Sequence, residues 1–316
     1  MTAETADRKG GKAPERRLTR RMRLTFAPLG GLLWALGLAP WPVLDLVGRA
    51  VTFIARDVVR YRCRIVRRNI ADSFPELPEK ERRRIERRFY RHLGDYFTET
   101  LKLRHMKPAE LMKRMEFRDT GLIDKYLSEG RDIVIYTSHF GNWEWITSIS
   151  LWCRTASEAD FAHVYRPLKQ PWFDRWWLTL RQKYNVSLPM KSVFRELLLR
   201  RRAGRRWITG FLSDQKPSHA GTVREAEFLN RPTPFIYGTE ELARKLDAVV
   251  MLFDTEVTGR HRYRSTVKLI AEHPASLPEG EITRRYAANL EVQIRRTPEA
   301  YLWSHNRWRL KKDELK

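Results

Sequence analysis

DIVIYTSHFGNWEWIT, residues 132–147, joins a β-branched run to a turn and to the predicted start of a helix. The run Asp132–Thr137 has the composition of a buried strand. Gly141 permits backbone angles that are closed to other residues, and Asn142 is a good helix N-cap, so the stretch predicts strand, tight turn and helix. This geometry would place His139 at the carboxyl end of a strand, where α/β proteins commonly carry their chemistry.

His139 and Glu144 are the candidate catalytic pair in this stretch. Side chains five residues apart on a continuous helix point about 140° away from each other, so the predicted turn is what would bring the two together. A carboxylate bound to one ring nitrogen fixes the tautomer of an imidazole and makes the other nitrogen a better base for a hydroxyl proton. The alternative is a core histidine hydrogen-bonded to a nearby acid. One His and one Glu at this spacing match no standard set of metal ligands, so no metal is predicted.

The composition indicates a large folded domain with a polyanionic partner. The chain has 316 residues, 42% of them hydrophobic, which is enough for a substantial core. Its formal net charge of +23 predicts binding to a polyanion; nucleic acid, an anionic membrane, a phosphorylated lipid and an acidic carrier protein all qualify. The cysteines, Cys63 and Cys153, provide neither a disulfide framework nor a metal cluster and are typical of a reducing compartment.

The N-terminal region divides into a basic arm, residues 1–23, predicted to be disordered, and a membrane-associated apolar segment, residues 24–57. No charged residue occurs from Leu24 to Leu44, a length that could cross a bilayer, but Pro28 and Pro40 predict an uninterrupted helix of only about eleven residues between them. Basic residues flank this stretch on both sides, which disfavours a simple crossing. We therefore expect a segment that dips into one leaflet; a single tilted span and a cleaved signal peptide are the alternatives.

The rest of the chain, residues 58–316, predicts one α/β domain. Residues 80–103 have apolar side chains at helical spacing, from Ile85 through Phe89 to Leu101, and arginines on the other face. This amphipathic helix has two interpretations, a surface helix that covers the core and a helix that lies against anionic headgroups. Alternating strands and helices after it indicate a mostly parallel, mixed sheet flanked by helices.

Polar residues that follow two predicted strands are candidate site residues. Arg166 stands just past a strand, where a guanidinium can bind a phosphate or a developing oxyanion; the alternative is a surface arginine pinned by the following proline. Asp214 and Gln215 offer an acceptor and a bidentate amide; the alternative is an Asx-type turn closed by a proline. Arg181, in a predicted helix, is a further substrate candidate. The predicted strands are 161–165, 207–213, 248–253 and 263–271, the helices are 172–184, 196–203, 239–246 and 283–296, and 228–234 is a loop.

The central block TSHFGNWEW, residues 137–145, resembles the His-x4-acid block of the lipid A biosynthesis acyltransferases, within the lysophospholipid-acyltransferase-like superfamily. Other blocks occur in the same order as in that family: an arginine run ending in N-x4-FPE, an arginine-rich helix with FYRHLGDYF, a YRP block, an Asp-Gln pair and a closing aromatic block at 301–308. The resemblance covers nearly the whole chain after the N-terminal arm.

The resemblance implies a lauroyl- or myristoyl-type late acyltransferase. Such an enzyme transfers a fatty acyl chain from acyl carrier protein to a hydroxyl of a phosphorylated lipid A precursor, at the cytoplasmic face of the inner membrane. His139 would be the base and Glu144 would orient it, without a metal or an organic cofactor. The resemblance also implies that Arg166, Asp214 and Gln215 belong to the substrate site. Asn142 and Arg181 complete our set of predicted substrate-binding residues.

Two alternatives stay open at this point. One is an acyltransferase that acts on another membrane glycolipid or aminolipid. The other is a basic nucleic-acid-binding protein with aromatic platforms, which explains the charge but gives the uncharged segment 24–44 no purpose. We therefore expect no nucleic acid among the partners.

Overall fold

A mixed sheet lies at the centre of the fold. The computed structural model describes residues 18–217 and 223–308. The strands in these ranges are β1 (Met115–Arg118), β2 (Ile133–Thr137), β3 (Ala159–Tyr165), β4 (Val186–Pro189), β5 (Arg206–Leu212), β6 (Val223–Glu227), β7 (Pro232–Ile236), β8 (Val249–Gly259) and β9 (Arg262–Ala271). In the described chain, seven of them form one sheet in the order β1, β9, β8, β2, β5, β3, β4, and β6 pairs with β7 in an antiparallel hairpin. Within the main sheet only β8 and β9 pair antiparallel, so the predicted mixed sheet of mostly parallel strands is confirmed.

Helices cover both faces of this sheet. They are α1 (Arg20–Leu38), α2 (Trp41–Phe53), α3 (Cys63–Ser73), α4 (Glu79–Leu103), α5 (Pro108–Arg114), α6 (Gly121–Ser128), α7 (Pro171–Arg181), α8 (Val193–Arg202), α9 (Gly238–Lys245) and α10 (Glu281–Arg296). A π-helical turn spans Ile54–Val58, and short 3₁₀ turns span Trp145–Leu151, Pro274–Ser276 and Pro298–Ala300.

The central strand β2 is buried along its whole length. Successive side chains of a strand point to opposite faces, and here Ile133 and Ile135 join one apolar cluster while Val134 and Tyr136 join the other. The continuous β-branched run is therefore explained by burial on both faces, which is typical of parallel sheets.

The N-terminal helices differ from the prediction in one respect. Pro28 lies inside α1, so the predicted break at this residue is wrong. The predicted break at Pro40 is confirmed, because the chain turns at Ala39 and Pro40, between α1 and α2. Proline removes one backbone donor from the helix. Two residues before Pro28, the ring of Phe26 stacks on Trp172 at 5.1 Å, a tertiary contact that supports this part of α1. No helix in the described part of the chain combines the length and the apolar character needed to cross a bilayer.

Part of the predicted basic arm lies outside the described residues. Residues 1–17 belong to that part, whereas α1 already begins at Arg20. The predicted arginine-rich helix over 80–103 corresponds to α4. It buries Phe89 and Tyr90 and crosses α2 closely where Gly94 faces Gly48, which agrees with the interpretation of a helix that covers the core.

Three local predictions were wrong or incomplete. The segment after the central turn is a 3₁₀ turn rather than an α-helix. Strands β1, β4 and β6 lie in stretches with no predicted strand. The predicted loop over 228–234 contains the start of β7, since the prolines at 232 and 234 are tolerated in a two-stranded hairpin whose strands are both edges.

Candidate active site

The turn after β2 has the predicted geometry. Gly141 has a φ of +62°, a left-handed conformation that favours glycine. Asn142 caps the following 3₁₀ turn, because its Oδ1 accepts hydrogen bonds from the backbone N–H groups of Glu144 at 3.1 Å and Trp145 at 3.2 Å. The turn places His139 directly beyond the carboxyl end of β2.

Asp214, and not Glu144, holds the imidazole of His139. The Nδ1 atom lies 2.8 Å from Asp214 Oδ1, and the backbone N–H of His139 donates to Asp214 Oδ2 at 3.1 Å. On the other side of the ring, Gln215 Nε2 lies 3.2 Å from His139 Nε2. The prediction that Glu144 orients this ring is therefore wrong, and the predicted substrate-binding pair Asp214-Gln215 takes that position.

The sheet explains why Asp214 reaches His139. Strands β2 and β5 are parallel neighbours in which Thr137 pairs with Leu212, so their carboxyl ends share one edge. The backbone N–H of Ser213 still donates to the carbonyl of Thr137 at 3.2 Å. Asp214, the residue after Ser213, therefore lies beside His139, which is two residues past Thr137. Burial opposes ionisation of Asp214, but the electrostatic interaction with His139 and the two hydrogen bonds from that residue keep the pKa of the Asp214 carboxyl below its usual range.

Glu144 is instead one half of a buried ion pair. Arg181 Nε lies 2.7 Å from Glu144 Oε2, Arg181 Nη2 lies 2.6 Å from Oε1, and the Tyr96 hydroxyl donates to Oε1 at 3.3 Å. Glu144 is only 1% exposed. Burial favours its neutral form, yet Arg181 lowers the pKa of Glu144 below its usual value, so this side chain is a carboxylate whose oxygens are already occupied. Helix α7, which ends at Arg181, delivers the guanidinium.

A largely apolar cavity lies beside this ion pair. It contains about 620 Å³ of empty space, part of it open to solvent. Its walls come from β2, β3, β5, β8, the end of α7 and the segment 143–149. They include Ile135, Trp143, Glu144, Ile146, Phe161, His163, Arg181, Ile208 and Phe253. The lining thus combines apolar side chains with the ion pair of Glu144 and Arg181.

His163 is a polar wall residue that the sequence did not single out. Its Nε2 lies 2.9 Å from the hydroxyl of Ser187, whereas its Nδ1 has no hydrogen-bond partner among residues 18–217 and 223–308. Burial lowers the pKa of His163 to about 3, so the ring is neutral. The one feature that identifies His163 as a wall residue is its position on β3, next to β5. This position depends on the order of strands in the sheet, which the sequence does not reveal.

The C-terminal block packs against the central turn. The backbone N–H of Gly141 donates to the carbonyl of Ala300 at 3.0 Å, and that of Leu302 donates to the carbonyl of His139 at 3.1 Å. Tyr301 also interacts with Asp214, and burial raises the pKa of its phenol, so it stays a neutral group. The aromatic tail thus packs on the candidate active site.

The remaining predicted site residues, Asn142 and Arg166, lie in different surroundings. Asn142 supports the turn, and its Nδ2 donates to Glu99 Oε2 at 2.8 Å. Arg166 is exposed immediately after β3 and is not among the described residues that line the cavity. His139, Asp214 and Gln215 thus form one group, and Glu144 and Arg181 form a second beside it.

Comparison with known proteins places the chain in a family. The family model described as bacterial lipid A biosynthesis acyltransferase matches residues 11–310. The chain is 23% identical over 283 residues to a lipid A biosynthesis lauroyltransferase of Escherichia coli (strain K12), covering 88% of this chain and 89% of that protein. It is 24% identical over 291 residues to a lipid A biosynthesis palmitoleoyltransferase of the same organism and to a lipid A biosynthesis acyltransferase of Shigella flexneri, covering 92% of each chain in both cases. The chain therefore belongs to the bacterial lipid A biosynthesis acyltransferase family.

Proposed function

We propose that the protein transfers a fatty acyl chain from the thioester of an acyl carrier protein to a hydroxyl of a phosphorylated lipid A precursor. Membership of the family supports acyl transfer in lipid A biosynthesis. The observation that carries the chemistry is the 2.8 Å contact between His139 Nδ1 and Asp214 Oδ1, because it leaves Nε2 as the basic nitrogen of the ring.

His139 is the general base in this proposal. Its Nδ1–H donates to the Asp214 carboxylate, so the lone pair of Nε2 accepts the proton of the acceptor hydroxyl. Gln215, whose amide lies 3.2 Å from Nε2, yields that position to the incoming hydroxyl. A general base of this kind contributes about 10² to 10⁴ in rate.

The proton passes to Nε2 as the hydroxyl oxygen attacks the carbonyl carbon of the thioester. The new C–O bond forms, and the tetrahedral intermediate collapses with cleavage of the C–S bond. The imidazolium of His139 returns the proton to the departing thiolate, so the ring ends the cycle neutral and no covalent acyl-enzyme forms. The two substrates and one imidazole account for every atom and charge.

We assign stabilisation of the oxyanion to Arg181. A guanidinium has five N–H donors, and the two bonds to Glu144 leave others available toward the cavity that Arg181 lines. Glu144 keeps the guanidinium in place, and the apolar walls receive the acyl chain. Arg166, exposed at the end of β3, remains our candidate for binding a phosphate of the acceptor.

The membrane-facing surface in this proposal is formed by α1, α2 and the π-helical turn. Large apolar side chains are exposed along it, among them Leu24, Leu32, Trp34, Leu38, Val43, Leu46, Phe53, Ile54, Val58 and Val59. Exposed arginines at 20, 21, 23, 49 and 60 accompany them. A broad apolar patch bordered by cations suits insertion into one leaflet of an anionic bilayer, which supports a location at the cytoplasmic face of the inner membrane.

The test is reconstitution of the full-length protein with a purified lipid A precursor. Acyl carrier protein and coenzyme A thioesters of the same acyl chain are supplied separately, and mass spectrometry measures the mass of the lipid product. We expect transfer from the carrier-protein thioester, a loss of about 10² to 10⁴ in kcat for His139→Ala, and wild-type turnover for His273→Ala, an exposed histidine outside the site.

Two results would overturn the proposal. Wild-type turnover by His139→Ala would remove the assigned base. Transfer only to another glycolipid or aminolipid, with none to the lipid A precursor, would replace the acceptor.

A further inference from the structure

Glu99 is a buried carboxylate that contacts the central turn from α4. It is 0% exposed. Its Oε2 accepts the 2.8 Å hydrogen bond from Asn142 Nδ2, and its backbone carbonyl accepts one from the indole Nε1 of Trp145 at 3.3 Å. The Tyr263 hydroxyl donates to Oε2 at 2.9 Å. Both anchors of the turn, Asn142 and Trp145, thus depend on one residue.

The bond to Glu99 fixes which way the Asn142 amide faces. A carboxylate can only accept, so Nδ2 must point to Glu99, and Oδ1 must then point to the backbone N–H groups of Glu144 and Trp145. Glu99 therefore selects the amide orientation that caps the 3₁₀ turn. His139 stands on one side of this turn and Glu144 on the other.

The other carboxylate oxygen of Glu99, Oε1, is connected to α2 through His261. His261 Nδ1 lies 2.7 Å from Glu99 Oε1, and His261 Nε2 lies 2.8 Å from Oδ1 of Asp45, a residue of α2. Arg260 binds Asp45 at 2.9 Å and Asp95 at 2.8 Å, so the carboxylates here are already paired within the chain. The path from α2 to the turn consists of short polar contacts throughout.

Aromatic packing follows the same path. Trp41, the first residue of α2, stacks on the imidazole of His261 with 4.5 Å between ring centroids. The Trp41 ring also contacts Trp145 edge to face at 6.4 Å. Helix α2 meanwhile exposes Val43 and Leu46, which belong to the apolar surface described above.

We propose that Glu99 is a positioning residue for acyl transfer. His261 links Glu99 to Asp45, so the position of α2 on the domain determines the geometry of the turn that carries His139 and Glu144. The inference rests on the proposed function for the roles of those two side chains. The contacts through Glu99 and His261 then connect the exposed apolar helix α2 with the reacting groups.

The test compares steady-state kinetics and backbone hydrogen exchange in full-length variants. Glu99→Gln keeps the size of the side chain but leaves one acceptor oxygen for three donors, which are Asn142 Nδ2, the Tyr263 hydroxyl and His261 Nδ1. We expect kcat to fall by about 10- to 100-fold, as when a catalytic group is displaced by about 1 Å, with KM little changed and with faster exchange confined to residues 140–147.

Two further variants separate positioning from general stability. Glu99→Gln combined with Asn142→Asp restores a donor–acceptor pair with the roles exchanged and keeps an N-cap oxygen at 142, so kcat should recover at least partly relative to Glu99→Gln. Glu86→Gln alters another buried glutamate of α4, which binds Arg67 at 2.9 Å instead of the turn, and should leave kcat and the exchange of 140–147 unchanged.

The link to α2 is tested by Asp45→Asn, which should give faster exchange of 140–147 and a kcat between those of the wild type and Glu99→Gln. Unchanged exchange of 140–147 in Glu99→Gln would overturn the positioning role, and unchanged exchange in Asp45→Asn would overturn the link. His139→Ala distinguishes the two proposals: if it is fully active the proposed chemistry fails, while the exchange data still decide whether Glu99 holds the turn.

Discussion

Asp214 binds His139 through both carboxylate oxygens, one on the ring at 2.8 Å and one on the backbone N–H at 3.1 Å. The double contact fixes the rotation of the imidazole as well as its tautomer. It also ties the end of β5 to the end of β2, so the candidate base is held by the sheet itself.

Asp214→Asn tests this contact. The asparagine oxygen can still accept from the backbone of His139, but the amide no longer supplies a charge that favours Nδ1–H and the developing imidazolium. We expect kcat to fall by about 10² to 10⁴ with a circular dichroism spectrum like that of the wild type. A kcat within about threefold of wild type would show that Asp214 is not the orienting group.

Arg181→Met tests the buried ion pair with Glu144. Removing the guanidinium leaves the buried Glu144 carboxylate, which is 1% exposed, without a paired cation. This should lower the free energy of unfolding by about 3 kcal/mol at pH 7.5. Because Arg181 depresses the pKa of Glu144, the stability that the pair contributes is fully present above the unfolded pKa of 4.5, begins to decline below it and is lost as the pH falls through the lower folded pKa. The difference from wild type, measured by urea unfolding, should therefore shrink at pH 4.

Lys245→Met is the matched control, since Lys245 pairs with Glu241 on the surface with side-chain exposures of 60% and 39%. It should change the free energy of unfolding by less than about 1 kcal/mol. An equal loss in both variants, independent of pH, would contradict the buried-pair interpretation.

The turn could be predicted from the sequence because it is local. A glycine at positive φ and an asparagine cap act on their immediate neighbours, and the order of residues 139–144 is enough to indicate them. Strands β2, β3, β5, β8 and β9 were predictable for the same reason, since their β-branched and aromatic runs are continuous.

The partners of His139 could not be predicted in this way. Asp214 lies 75 residues away in the chain and reaches the ring only because β5 is the neighbour of β2. Arg181 reaches Glu144 from the helix that follows β3. Both depend on the spatial order of strands, whereas sequence spacing suggested the nearer acid.

Gly141→Ala tests the backbone of the turn. The left-handed conformation costs a residue with a Cβ about 1 to 2 kcal/mol, and the added methyl would lie 3.1 and 3.2 Å from two ring carbons of Tyr263. We expect lower stability by thermal unfolding and a reduced kcat. In the control Gly204→Ala the φ is +72°, but apart from its chain neighbours no described residue comes within 4 Å of the added methyl, so stability alone should fall. Full kcat in both variants would show that the turn tolerates the strain.

Leu46→Asp tests the membrane-facing surface. Leu46 is 67% exposed, so the change should leave the fold intact while it weakens binding to vesicles with anionic lipids by about tenfold or more, given about 1.5 to 3 kcal/mol for burying a leucine side chain. Val292→Asp, on α10 and 60% exposed, is the control and should bind as the wild type does. Co-sedimentation measures both, and equal binding by Leu46→Asp and wild type would exclude Leu46 from the contact.

His261→Gln tests the charge of the link between α2 and Glu99. Burial disfavours the imidazolium, but the carboxylates of Glu99 and Asp45 outweigh it and raise the pKa of His261 above its ordinary 6.5. A group with a raised pKa contributes stability that is fully present below the unfolded value and is lost as the pH rises through the folded value. The difference in free energy of unfolding between wild type and His261→Gln should therefore be larger at pH 6 than at pH 9.5. Groups that titrate in both proteins cancel in this difference. A difference in the free energy of unfolding that increased with pH would mean that His261 is neutral and does not bind the two carboxylates as a cation.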